Sequence, residues 1–101
     1  MKKKLCLLLI LSSFVLNIHA QKSIRIGIIG LDTSHSVAFT DLINGDKNNA
    51  FAKGFRIVAA YPYGSKTIES SAKRIPGYIK KVEQQGVEIV SSISELLDKE
   101  I

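Results

Sequence analysis

The passage Ile24-Arg-Ile-Gly-Ile-Ile-Gly-Leu-Asp-Thr-Ser-His35 constrains the fold of this chain more than any other. A near-continuous apolar run of six residues, with Arg25 near its start, predicts a strand buried on both faces of a parallel sheet. The glycine directly after it, followed by acid and hydroxyl side chains, predicts a tight turn that feeds a helix. Parallel neighbours need crossover connections, so further strand–helix units have to follow.

They do follow. Ser34 or Ser36 is placed to cap a helix running to about Asn44, with Val37, Ala38, Phe39 and Leu42 on its inner side. A polar turn cluster at 44–49 and a short segment at 50–53 lead to the second strand, Phe55–Tyr61, which Pro62 and Gly64 stop. A helix is expected from Ser65 onward, interrupted by Pro76-Gly77, resumed at Tyr78 and ended by Gly86. Residues 87–90 read as the third strand, with Glu88 facing solvent, and residues 92–98 as a short amphipathic helix. The order β-α-β-α-β-α implies an α/β fold, a partial Rossmann-type parallel sheet with right-handed crossovers. The segment 99–101 carries no helix stop signal, so the chain reads as the front of a longer protein.

Residues 1–20 read differently. Three lysines, a short apolar run over 5–16 and a small-residue site at Ile18-His-Ala20 have the layout of a cleaved secretory signal peptide. The run is well short of the ~20 residues a spanning helix needs, so no stable membrane span is expected and the protein is read as periplasmic or secreted. Cys6 leaves with the leader, and no cysteine remains to staple residues 21–101. With the leader's three lysines set aside, eleven basic side chains face nine acidic ones, a net of +2. That balance gives no support for a nucleic-acid partner.

The glycine turn is the candidate site. In a dinucleotide-binding turn the first glycine allows the bend, the second lets backbone approach the pyrophosphate, and the third lets helix and strand close. Gly30 matches the first, whereas Asp32 and His35 hold the second and third positions. A carboxylate beside a helix start repels phosphate by ~1–4 kcal/mol at few-ångström range, and Asp32 is also expected to cap the helix and compete for its amides. An imidazole at position 35 either pushes helix and strand apart or points into the crevice. The second strand ends in Tyr61-Pro-Tyr63 with no acid for ribose hydroxyls, while Ser65 and Lys66 either grip a 2′-phosphate or simply form a tight turn. Tyr61 and Tyr63 read as packing and rim residues. The candidate cofactor-binding set is therefore Gly27, Gly30, Leu31, Asp32, Thr33, Ser34 and His35, with Ser65 and Lys66 as a second group. One Asp and one His do not make a metal site, and no nucleophile–base pair is visible, so catalytic residues are unassigned.

Taken together, Ile26-Gly-Ile-Ile-Gly-Leu31, Arg56-Ile-Val-Ala-Ala60 and Gly86-Val-Glu-Ile-Val-Ser-Ser-Ile-Ser-Glu-Leu-Leu97 resemble the N-terminal half of the Gfo/Idh/MocA family. The family includes glucose–fructose oxidoreductase and inositol dehydrogenase. The resemblance covers essentially all of residues 21–101 and implies a Rossmann-type domain that binds NAD or NADP. It further implies a C-terminal α/β domain for a sugar or polyol, with a catalytic lysine in a Lys-Pro motif at the junction, and a homo-oligomer in the full-length form. Three functions are compatible: an exported NAD(P)-dependent oxidoreductase, a carbohydrate-binding or scaffold protein that has lost the dinucleotide, and a redox-silent glycoside hydrolase or lyase that retains it. Asp32 and His35, standing where the turn wants glycine, weigh against cofactor binding. Residues 1–101 alone are expected to be inactive, with a marginal fold and an exposed sheet edge.

Overall fold

The computed structural model describes residues 23–45 and 52–101, so the leader and most of the polar cluster after Asn44 lie outside the described residues. Strand β1 (Ile24–Ile29), helix α1 (Ser34–Thr40), a π-type turn (Asp41–Gly45), strand β2 (Phe55–Tyr61), helix α2 (Glu69–Glu83), strand β3 (Glu88–Ile89) and helix α3 (Ile93–Leu97) succeed one another. The strands form one parallel sheet in the order β1-β2-β3. The fold is α/β with helices packed on both faces of that sheet. Among the described residues no helix is long and apolar enough to cross a membrane.

Strand β2 is the centre, and its side chains do not alternate simply. Ile26 pairs with Ile57 but Gly27 pairs with Ala59, which leaves Val58 as an extra residue in a bulge. Ile57 and Ala60, three apart, therefore share one face with Leu31, Val82 and Val87. Val58, Ala59 and Tyr61 share the other with Val90 and Leu96. At the bulge the main chain of Ile57 turns to Asn44 in the π-type turn. The Ile57 N–H donates to Asn44 Oδ1 at 2.9 Å, and Asn44 Nδ2 donates to Ile57 O at 2.8 Å and Gln85 O at 3.2 Å. One amide side chain thus stands in for a missing strand neighbour and ties β2 to the end of α2.

The expectation that β1 is buried on both faces is not met. As the end strand of this sheet it is half-buried at most, with Ile24 and Ile29 59% and 62% exposed. Its inner positions still set the packing: Ile26 and Ile28 join the core, while a Cβ on Gly27 would lie 2.8 Å from Ile101 Cδ1 and 3.1 Å from Leu96 Cδ1. Arg25 sits in an apolar run because its guanidinium donates twice to Lys99 O, at 2.8 and 3.2 Å, just past α3. Lys99 also pairs with solvent-facing Glu88 at 2.9 Å.

The first helix also differs from its expected form. It is regular only to Thr40, and its inner face carries Ser36, Thr40 and half-buried Val37, whereas Ala38 is exposed and Phe39 and Leu42 are 57% and 40% exposed. Hydroxyls are tolerated inside because each bonds back to the helix: Ser36 Oγ donates to Thr33 O and Thr40 Oγ1 to Ser36 O, both at 2.7 Å.

Helix α2 starts at Glu69, not Ser65, and runs unbroken through Pro76 and Gly77. Proline in a helix interior costs about 3 kcal/mol. Burying Ile75 and Val82, with Tyr78 and Ile79 partly covered on the same face, returns about 1.5–3 kcal/mol for each fully buried side chain, so packing overrides the breaker. The helix stops where expected. Gly86 adopts φ +84°, its N–H reaches Glu83 O at 3.0 Å, and the Val87 N–H reaches Val82 O at 3.2 Å. Helix α3 is capped at Ser92, whose Oγ accepts from the Glu95 N–H at 3.0 Å. The Glu95 carboxylate in turn accepts from the N–H and hydroxyl of Ser91, which hold it below the usual carboxylate range.

Two substitutions test this description. Gly77→Ala, at an open helical position with nothing within 4 Å of a new Cβ, is expected to stabilise the protein by about 0.5–1 kcal/mol in denaturant unfolding. A loss of stability would mean that the helix breaks there after all. Asn44→Ala is expected to cost about 1–3 kcal/mol in the same assay, since it strands the Ile57 amide; a change near zero would remove the proposed support of the bulge.

Candidate functional site

The carboxyl ends of β1 and β2 deliver two loops side by side, 30–33 and 62–68. Gly30 takes φ +94°, a left-handed value that side-chain-bearing residues avoid, and this lets the chain leave β1 abruptly. The Gly30 N–H donates to Tyr61 O at 2.8 Å and the Leu31 N–H to Pro62 O at 2.9 Å, so the pairing of the two strands continues into the loops. Leu31 is fully buried in the core. It anchors the turn and offers no side chain to a ligand.

Asp32 does not behave as its sequence position suggests. The cap of α1 is Thr33, in extended conformation with no side-chain capping bond. The carboxylate of Asp32 instead crosses past Gly64 of the second loop to the start of α2, where Oδ2 accepts from Ser71 Oγ at 3.0 Å. Ser71 lies in the first turn of α2 and is 7% exposed, so an anchored carboxylate also sits favourably at the positive end of that helix. Gly64 makes this crossing possible, because a Cβ there would lie 2.5 Å from Oδ2 and 2.8 Å from Cγ of Asp32. The other oxygen, Oδ1, faces Gly30, at 3.5 Å from where a Cβ would stand on it, and accepts no hydrogen bond among the described residues.

The remaining sequence-derived residues divide into three places. Thr33, Ser34 and His35 are exposed at the start of α1, next to the crevice, so the His35 ring neither wedges helix from strand nor enters the core. Gly27 lies apart, beneath Leu96 and Ile101, where it serves close packing. Ser65 closes the tight turn: its Oγ accepts from the Thr67 and Ile68 amides at 3.3 and 3.2 Å. Lys66 is exposed beside it. Both border a cavity of about 260 Å³ beneath the loop, walled by Tyr63, Ile75, Pro76 and Ile79. Tyr61 and Tyr63 meet edge to face with ring centres 5.5 Å apart.

Gly64 and Ser71 are the site residues that sequence reasoning missed. Gly64 was legible as a strand stop, and Ser71 carried no signal, since its partner lies 39 residues away. No group of three or more His, Cys, Asp or Glu side chains poised for a metal occurs among the described residues. No family model, curated protein or solved structure matches this chain.

Proposed function

We propose that this chain is the N-terminal, Rossmann-type unit of a Gfo/Idh/MocA-like oxidoreductase, exported by a cleaved signal peptide. In this reading NAD or NADP lies across the carboxyl ends of β1 and β2, and a sugar or polyol is handled by a C-terminal domain. Three parallel strands joined through helices, with a left-handed glycine at the first strand end, support it. The observation that carries it is the path of Asp32. Its carboxylate is drawn across to Ser71, so the start of α1, where a diphosphate belongs, is left without the acidic cap.

The residues on hand fit such a cofactor in a definite way. The amides of Thr33, Ser34 and His35 have no acceptor among the described residues, while Asp32 Oδ1 lies on the Gly30 side of the turn. When bound, the dinucleotide supplies hydride exchange with a carbon of the sugar or polyol. The residues of this chain bind and orient it; none is assigned to the reacting atoms.

The reading of an exported carbohydrate-binding or scaffold protein that has lost the dinucleotide has its own support. The Gly30 and Leu31 amides are already committed to carbonyls of the second strand and its loop, and His35 stands where the third glycine belongs.

Calorimetric titration of the full-length protein with NAD+, NADH, NADP+ and NADPH separates the two. Micromolar binding of at least one is expected. Absence of binding by all four at millimolar concentration would favour the second reading, above all if a polyol or sugar then gives heat.

A further inference from the structure

We infer that Asp32 is the acceptor for the ribose diol of the nucleotide, supplied from the first turn in place of an acid at the end of the second strand, and that the site therefore selects NAD over NADP. This rests on the proposed function and sharpens it to a cofactor and a residue.

Dinucleotide units that take NAD place a carboxylate at the end of their second strand to accept from the ribose hydroxyls. That end here is Tyr61-Pro-Tyr63-Gly64, and it has no acid. The fold brings one there from elsewhere. Asp32 comes from the turn after β1, yet its carboxylate lies against Gly64, three residues beyond the last residue of β2. Gly64 is small enough to admit it, and Ser71, almost wholly buried, fixes Oδ2 at 3.0 Å.

The two oxygens then have different tasks. Oδ2 is held by the protein, and Oδ1, on the Gly30 side, has unfilled acceptor capacity among the described residues. A half-buried carboxylate anchored by one oxygen, with its other oxygen open, is suited to accept from neighbouring hydroxyls. It is equally unsuited to a phosphate ester on the ribose, because both carry negative charge. The opposing group is weak: the Ser65 hydroxyl already accepts from two amides, and Lys66 stands on the exposed loop. A vicinal diol of a free sugar presents the same chemistry as a ribose, so the experiment includes both.

The test is titration calorimetry on the full-length protein and its Asp32→Ala and Asp32→Asn variants with NAD+, NADP+, adenosine, 2′-deoxyadenosine and myo-inositol. Asp32→Asn retains a carbonyl oxygen for Ser71 and serves as the folding control, checked by thermal melting. For the parent protein, NAD+ is expected to bind at least tenfold more tightly than NADP+, and adenosine at least tenfold more tightly than 2′-deoxyadenosine. In both variants each ratio is expected to collapse toward one, with NAD+ affinity reduced at least tenfold in Asp32→Ala. If NAD+ binds and Asp32→Asn leaves both ratios unchanged or tightens NAD+, the diol assignment is overturned while the proposed function stands. Failure of every nucleotide to bind parent and variants alike overturns both, as does Asp32-dependent inositol binding without any nucleotide binding.

Discussion

The hydrogen bond from Ser71 to Asp32 ties the turn after β1 to the first turn of α2, across the loop between β2 and α2, and the surrounding geometry follows from it. A carboxylate directly behind a glycine turn would normally fold onto the helix that follows and fill its first amides. Here it crosses to the next strand–helix connection, which leaves the start of α1 to Thr33 and requires a glycine at position 64. Gly30, Asp32, Gly64 and Ser71 are therefore one arrangement. The left-handed turn aims the chain, the bare residue admits the carboxylate, and the buried hydroxyl holds it.

That arrangement depends on the fixed position of β2, on which both loops are built. The bulge at Val58 lets Ile57 and Ala60 face one side and Ala59 and Tyr61 the other, so one short strand contributes to the core on both faces. Asn44 satisfies the displaced main chain of Ile57 from outside the sheet. The far end of the described chain closes the opposite side: Leu96 and Ile101 fill the space over Gly27, and Arg25 grips Lys99 O. A glycine read as a possible cofactor contact is thereby explained by packing.

Much of the fold was legible because its signals are local. Apolar runs fixed β1 and β2 to their observed ends, Gly86 marked the end of α2, and the amphipathic pattern over 92–98 marked the place of α3. What was not legible depends on tertiary packing. Pro76 reads as a breaker until Ile75 and Val82 are seen buried on one side of it. Phe39 and Leu42 read as core residues until Ser36 and Thr40 are seen bonding back to the helix on the inner face. At the site, Gly30 and its turn could be read directly. The role of Asp32 could not, since it is settled by a serine 39 residues away in a different helix.

A double-mutant cycle on Asp32→Ala and Ser71→Ala, read by denaturant unfolding of the full-length protein, measures the tie between the turn after β1 and α2 most directly. The two residues are expected to couple by about 1.5–3 kcal/mol, as for a hydrogen bond to a partly buried charge. Strictly additive effects, with a coupling below about 0.5 kcal/mol, would mean that the carboxylate is not held at the end of the second strand, and would contradict the account of the crevice.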